Sequence, residues 1–160
     1  MCRGTCGVHV NRTGMVSVRR SIAGCLLLVL PLTGCGNQDQ KLRENAAQTA
    51  RAAASEVTTA QLAVEQLRIR HLWAQPAGQI VADAEKTLDK TASSFASQQP
   101  ASEVSARLYE QVTSALDDAE SAVTAVRIAL GNNDLAAAER QLTTLRQAST
   151  DLGKIGELAR

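Results

Sequence analysis

The feature that most constrains the fold of this chain is a long run of small apolar residues spaced three and four apart. The run comprises Ala46, Ala50, Ala53, Val57, Ala60, Val64, Leu67 and His71, with no Gly or Pro between its ends. This spacing places all eight on one helix face and predicts a long helix with a heptad seam, as in coiled coils and helical bundles. Because its first half is alanine, helices should pack closest near its start and more bulkily near Trp73.

Proline and glycine predict where this helix ends and the next begins. Gln75-Pro76-Ala77-Gly78 interrupts the pattern, and Pro76 suits the first turn of a second helix or a kink in one long helix. The second helix should bury Val81, Ala84, Leu88, Thr91 or Ala92, and Phe95. It should end at Ser97-Gln98-Gln99, and Pro100 is expected to open a third helix.

Two more helices follow from the same spacing. The third should bury Val104, Leu108, Val112, Ala115, Leu116, Ala119, Ala122, Val123, Val126, Ala129 and Leu130. Gly131 suits the left-handed position after it, and Asn133 or Asp134 suits the next N-cap. The fourth should bury Leu135, Ala138, Leu142, Leu145, Ala148, Leu152 and Ile155, with Gly153 and Gly156 loosening its end.

These patterns predict an all-α fold for residues 41–160, because no run of alternating β-branched residues occurs there. Short connections place neighbouring helices antiparallel, which gives an up-down bundle of three to four helices. The hairpin 109–148 superficially resembles one tetratricopeptide-type helix pair, but no second copy of a repeat is visible.

The N-terminal region carries a different pattern. Arg19-Arg20 precedes an apolar run from Ile22 to Leu32 that ends in Leu32-Thr33-Gly34-Cys35. A permanent membrane span needs about 20 apolar residues, so this shorter run, interrupted by Gly24 and Pro31, fits a cleaved secretory signal better.

Leu32-Thr33-Gly34-Cys35 resembles the lipobox of bacterial lipoproteins at every position. The resemblance implies a diacylglyceryl group with palmitate-type chains on Cys35, and cleavage between Gly34 and Cys35. Residues 1–34 would then be a signal peptide, with translation expected to start at Met15 rather than Met1, and residues 35–40 a polar, lipid-anchored tether. The implied location is the extracytoplasmic face of the cell membrane. Abundant alanine, and arginine in excess of lysine, resemble proteins of high-GC bacteria such as actinobacteria.

Charge and composition after the expected cleavage site exclude several functions. From Cys35 onward 13 basic residues face 16 acidic ones, a net charge of −3. This balance argues against a nucleic-acid partner, which needs a clustered basic face. The segment has one histidine, no methionine and no cysteine besides Cys35, so no haem, zinc or other cofactor is expected.

No catalytic residues are predicted, and the protein is expected not to be an enzyme. A nucleophile would need a nearby base, and His71 is the only histidine after Cys35. Asp83, Glu85, Asp89, Asp117, Asp118 and Glu120 form acidic groups. Because they flank apolar helical positions beside Lys86 and Lys90, a solvated helix face explains them better than glycosidase-type chemistry.

The one local cluster with binding potential is Arg68-Ile69-Arg70-His71-Leu72-Trp73. Arg and Trp are enriched at binding hot spots, so Arg68, Arg70, His71 and Trp73 are the candidate partner-binding residues. The favoured alternative is that Trp73 fills the wide end of the bundle while the arginines face water. His71 is then expected to be half-buried at the helix end.

Together these features predict a membrane-anchored cell-envelope lipoprotein that acts as a non-enzymatic interaction or scaffolding module. Its partners would be the membrane, through Cys35, and an envelope protein or lipid. The alternative is a lipoprotein that binds a lipid or small hydrophobe between its alanine-lined helices. Self-association through the seam of the first helix is a further expectation.

Overall fold

The computed structural model describes the backbone of residues 35–159 and the side chains of residues 38–159. The described part holds helices α1 (Cys35–Arg68), α2 (Ala74–Ala96), α3 (Glu103–Gly131), α4 (Leu135–Arg140) and α5 (Leu142–Leu158). Only Gln141 separates α4 from α5, so the two form one broken arm. The prediction of an all-α bundle is confirmed, with four arms. The predicted signal peptide lies outside the described residues.

Side-chain contacts show that neighbouring arms run antiparallel. Near the start of α1, the amide of Asn45 donates to Gln98, just after the end of α2, at 3.1 Å. Arg51 donates to the carbonyl of Gly156, near the end of α5, at 3.2 Å. The start of α1 therefore lies beside the ends of α2 and α5, and we call this the proximal end of the bundle.

The opposite, distal end carries two turns, residues 69–73 between α1 and α2 and residues 132–134 between α3 and α4. One surface groove is lined by Gln75, near the start of α2, and by Gly131 and Asn133. The two turns therefore lie at the same end of the bundle. Since an α-helix rises about 1.5 Å per residue, the 34 residues of α1 set the two ends about 50 Å apart.

The alanine seam of α1 lies at the centre of the bundle. The six seam residues from Ala46 to Val64 have no exposed surface. Helix α1 packs against α2 and α5 and also against α3, diagonally across the bundle, whereas α2 and α5 do not touch within the described residues. Small side chains on α1 and at Ala119 and Ala122 of α3 permit this diagonal approach. The predicted seam ends early, because Leu67 is half-buried and His71 is exposed.

The first residues of α1 correct one prediction. Residues 35–40 continue the helix rather than forming a separate polar tether. Gln40 donates to Glu44 one turn later at 3.0 Å. The half-buried Asp39 lies beside the start of α3, where the hydroxyl of Ser102, and secondly that of Ser105, lowers the pKa of its carboxyl group. Its Oδ1 is shielded from water and has no hydrogen-bond partner among the described residues.

The prolines do not both mark helix starts. Pro76 is the third residue of α2, where its missing N–H needs no partner, so the chain breaks before it and the kink alternative is wrong. Pro100 does not open α3. Ser102 is the N-cap, and its hydroxyl and that of Ser105 form a reciprocal capping box. Val104 therefore falls on the solvent side, 62 % exposed, instead of in the predicted core.

The proximal end is filled by aromatic side chains. Phe95 of α2 is buried and stacks on Tyr109 of α3, with ring centroids 5.4 Å apart. The Tyr109 hydroxyl donates to the carbonyl of Ala96 at 3.1 Å. Large rings from α2 and α3 therefore fill space beside the alanine half of α1, so bulky core side chains are not confined to the half near Trp73.

Gly156 does not loosen the last helix. Helix α5 continues through it to Leu158, and the residue is buried against α1. A Cβ atom there would lie 3.0 Å from Cγ of Arg51 and 3.6 Å from the carbonyl of Ala47. The missing side chain thus lets α5 approach α1 closely.

We expect the substitution Ala53→Leu to lower the free energy of unfolding by about 1–3 kcal/mol, because a larger side chain overpacks a close-packed helix contact. Ala53 has no exposed surface. The matched control is Ala52→Leu, at the exposed neighbouring position, which should change stability by about 0.5 kcal/mol or less. Urea denaturation followed by circular dichroism measures both variants. Equal midpoints would contradict the central placement of the seam.

Candidate functional site

The candidate site is the distal turn that joins α1 to α2. His71 N–H donates to Gln66 carbonyl at 2.9 Å and Arg70 N–H donates to Leu67 carbonyl at 3.0 Å. This pair of bonds defines a Schellman motif, whose left-handed residue is usually glycine. Here Arg70 occupies that position with φ of 60°. The turn closes the helix through backbone bonds alone, which leaves its side chains available to solvent.

The second distal turn uses the same motif. Asp134 N–H donates to Ala129 carbonyl at 2.9 Å and Asn133 N–H to Leu130 carbonyl at 3.0 Å. Asn133 takes the left-handed conformation, φ 57°, so the prediction that Gly131 does so is wrong. Asp134 is the N-cap of α4 and accepts from Ala137 N–H at 2.8 Å.

The candidate partner-binding residues Arg68, Arg70, His71 and Trp73 are all exposed and lie in or beside one turn. Trp73 is 84 % exposed, so the prediction that it fills the end of the bundle is wrong. His71 is likewise exposed rather than half-buried, because the helix ends before it. Their role in partner binding stays a prediction.

An apolar groove, which we call the distal groove, opens beside this turn. It has a volume of about 280 Å³ and is lined by Thr59, Leu62, Ala63, Gln66, His71, Leu72 and Ile80. Leu62 is 53 % exposed, and nearby Ile69 in the turn is 47 % exposed. The sequence patterns did not identify Leu62 and Ile80 as candidate site residues. Leu62 could have been recognised, because it is an apolar residue that lies off the heptad seam of α1 and is not buried by it.

The surroundings of the distal groove carry positive charge. Residues 68–82 contain Arg68, Arg70 and His71 and no acidic residue. The carboxylate of Glu65 is already engaged by Arg146 at 2.7 Å, and this contact, more than the others, lowers the pKa of Glu65. Arg68 and Arg70 form no ion pair within residues 38–159, although the charge of Arg68, after the contacts of Arg146 and Gln61, also acts on Glu65. The segment of residues 68–82 is therefore basic, while the second distal turn carries the acidic Asp134.

The acidic residues of α2 and α3 are mostly exposed, as the prediction of a solvated face requires, but Glu85 and Glu120 are half-buried. Glu85 accepts from the Thr124 hydroxyl at 2.7 Å and forms an ion pair with Arg127. Burial, followed by the charges of Asp89 and Asp117, raises the pKa of Glu120. The part of the chain that the structure describes contains no group of three or more His, Cys, Asp or Glu side chains placed to hold a metal ion.

Other grooves on the bundle are lined differently. One between α3 and the α4–α5 arm, about 370 Å³, is lined by alanines and polar side chains. Another at the proximal end, about 390 Å³, combines Phe95 with mainly polar neighbours. The distal groove differs in offering three large aliphatic side chains, those of Leu62, Leu72 and Ile80.

The lipobox prediction touches the described chain only at Cys35, the first residue of α1; Leu32, Thr33 and Gly34 lie outside the described residues. None of the helices described has the length and apolar content required to traverse a bilayer. Comparison with known proteins finds no matching family, no matching curated protein and no matching solved structure.

We expect Arg70→Gly to raise the free energy of unfolding by up to about 1 kcal/mol, because glycine adopts the left-handed conformation without a Cβ clash. The matched control is Asn133→Gly in the equivalent position of the second turn. Asn tolerates this conformation better than Arg, so its gain should be smaller. Thermal unfolding measures the two variants. Destabilisation by Arg70→Gly would show that the arginine side chain itself supports the turn.

We expect Glu120→Gln to stabilise the protein at pH 7 by about 0.5 kcal/mol, the scale of exposed charge interactions. The raised pKa means that folding favours the protonated acid. The loss of stability caused by ionised Glu120 in the wild-type protein is therefore absent below pH 4.5, the ordinary pKa of a glutamate. It develops as the pH rises above 4.5 and is complete above the pKa of Glu120 in the folded protein. Urea titrations at pH 7 and below 4.5 measure the gap. An equal gain from exposed Glu110→Gln would assign the effect to net charge instead.

Proposed function

We propose that this protein is a bacterial cell-envelope lipoprotein, anchored by lipid at Cys35, whose helical bundle is a non-enzymatic interaction module. The observation that carries the proposal is the lipobox-like Leu32-Thr33-Gly34-Cys35 at the end of an apolar run. It is supported by Arg19-Arg20 ahead of that run, which supplies the positive charge that precedes the apolar core of a secretory signal.

The fold gives this anchor a mechanical consequence. Because α1 runs without interruption from Cys35 to Arg68, a lipid on Cys35 would attach to a continuous helix that forms the centre of the bundle. The distal turn would then lie about 50 Å from the anchored residue. Such a module would present its exposed turn away from the lipid attachment point, where a second envelope component can reach it.

An interaction role is favoured because a large aromatic side chain is exposed, whereas several surface carboxylates are already held in ion pairs. Trp73, a residue type enriched at binding hot spots, is 84 % exposed, whereas Glu65, Glu85 and Asp151 are each held in ion pairs. The expected self-association through the α1 seam would need the bundle to open, since the seam residues from Ala46 to Val64 are buried inside it. Self-association and binding of a lipid or hydrophobe between the helices stay predictions.

The anchor is tested by Cys35→Ser in the full-length chain produced in a bacterial host. We expect loss of metabolic labelling by an alkyne fatty acid and a shift of the protein out of the membrane fraction, because the lipid is bonded to the thiol. Mass spectrometry of the wild-type protein should show a mature chain that begins at Cys35. The matched control is Cys25→Ser, which removes a thiol upstream of the cleavage site and should leave labelling intact. Labelling that survives Cys35→Ser, or an uncleaved wild-type chain, would overturn the proposal.

A further inference from the structure

We propose that the distal turn and distal groove bind an acidic, amphipathic polypeptide segment of a partner protein. The groove would take one large apolar side chain of that segment against Leu62, Leu72 and Ile80, while Arg68 and Arg70 pair with its carboxylates. This inference deepens the interaction role proposed above by naming the chemistry of the partner. Its test does not require lipidation of Cys35.

The open shape of the distal groove favours a side chain over a whole small molecule. Ligand pockets enclose most of their ligand, whereas this groove of about 280 Å³ is open to solvent. Its floor includes Ala63 of α1, and its walls come from both helices. A groove of this kind matches an apolar anchor on a helical or extended peptide.

Trp73 would provide a second apolar contact with the bound segment, beside the one in the distal groove. Its ring stands 84 % exposed next to Leu72, which lines the groove. A large amphipathic ring gains most by being covered, because aromatic side chains bury about 150–250 Å² each. Packed against a bound segment, Trp73 would exclude water from the neighbouring ion pairs and strengthen them.

Charge decides which partner fits. Two arginines and no acidic residue occupy positions 68–82, and the carboxylate of Glu65, which precedes this segment on α1, is held by Arg146. A second copy of this chain would bring the same positive groups face to face, which is unfavourable. An acidic segment instead gains complementary charge from Arg68 and Arg70, which lie in or beside the turn that supplies His71 and Leu72 to the groove.

A lipid surface fits the geometry less well. The apolar side chains of Leu62, Leu72 and Ile80 line a concave groove, which a flat bilayer surface would not fill. Under the proposed anchoring at Cys35, the turn also lies at the opposite end of α1 from the membrane. A polypeptide is therefore the occupant to which we commit.

Trp73 is the only tryptophan in the chain, so its fluorescence reports on the site without a label. We would titrate the full-length Cys35→Ser chain with a synthetic Leu/Glu amphipathic peptide and, separately, with its Leu/Lys counterpart. The expected result is a blue shift and reduced acrylamide quenching with the Leu/Glu peptide only. The shift should weaken as the ionic strength approaches about 1 M, where the Debye length falls to about 3 Å.

Three variants locate the binding. Leu62→Glu should weaken binding at least about tenfold, because it puts a charge into the groove and repels the peptide. Arg70→Gln should weaken it by several-fold and reduce its salt dependence. The control is Leu158→Glu, at a leucine that is 85 % exposed near the proximal end, which should bind as tightly as the parent chain.

Several outcomes would overturn this inference: equal binding of both peptides, binding that survives Leu62→Glu, or no binding at all. A blue shift with phosphatidylglycerol vesicles but with neither peptide would assign the turn to a lipid surface. A shift that develops with protein concentration alone would assign it to a second copy. None of these results bears on fatty-acid labelling at Cys35, so failure here stays separate from failure of the proposed anchor.

Discussion

The bundle depends on the contact between α1 and α3 across its centre. Neighbouring arms touch in any four-helix bundle, but here the diagonal pair touches while α2 and α5 do not within the described residues. Ala46, Ala50, Ala53 and Ala60 remove the side-chain bulk that would otherwise hold α1 away. Each alanine buries little apolar surface, so stability comes from close packing over a long contact rather than from a few large side chains.

This central contact leaves the two ends of the bundle with different roles. The proximal end is tied by side chains: the capping box of Ser102 and Ser105, the Tyr109 hydroxyl on Ala96, and Arg51 on Gly156. The distal end is closed by backbone hydrogen bonds in two Schellman motifs. Because backbone hydrogen bonds close this turn, the side chains of Arg70, His71 and Trp73 remain exposed, whereas Leu72 packs against the core.

The core was largely predictable, since burial in a helix follows three-and-four spacing. All five residues buried along α2 fall on one stripe, and Val81, Ala84, Leu88 and Phe95 were among the predicted positions. The boundaries were less predictable. Pro100 and Ser102 both suit a helix start, and only a formed capping box decides between them. In the same way, Gly131 and Asn133 both tolerate left-handed backbone, and the register of the Schellman bonds selects Asn133.

The sequence by itself determined the helical class, the small-residue seam and the candidate residues of the distal turn, because these depend on local spacing and composition. Only the tertiary structure decided that Trp73 faces solvent, that Leu62 and Ile80 share a groove with His71, and that Glu65 is paired with Arg146. These facts depend on which faces of different helices meet. A single helix period shows which residues share a face, but it does not show what the neighbouring helix covers.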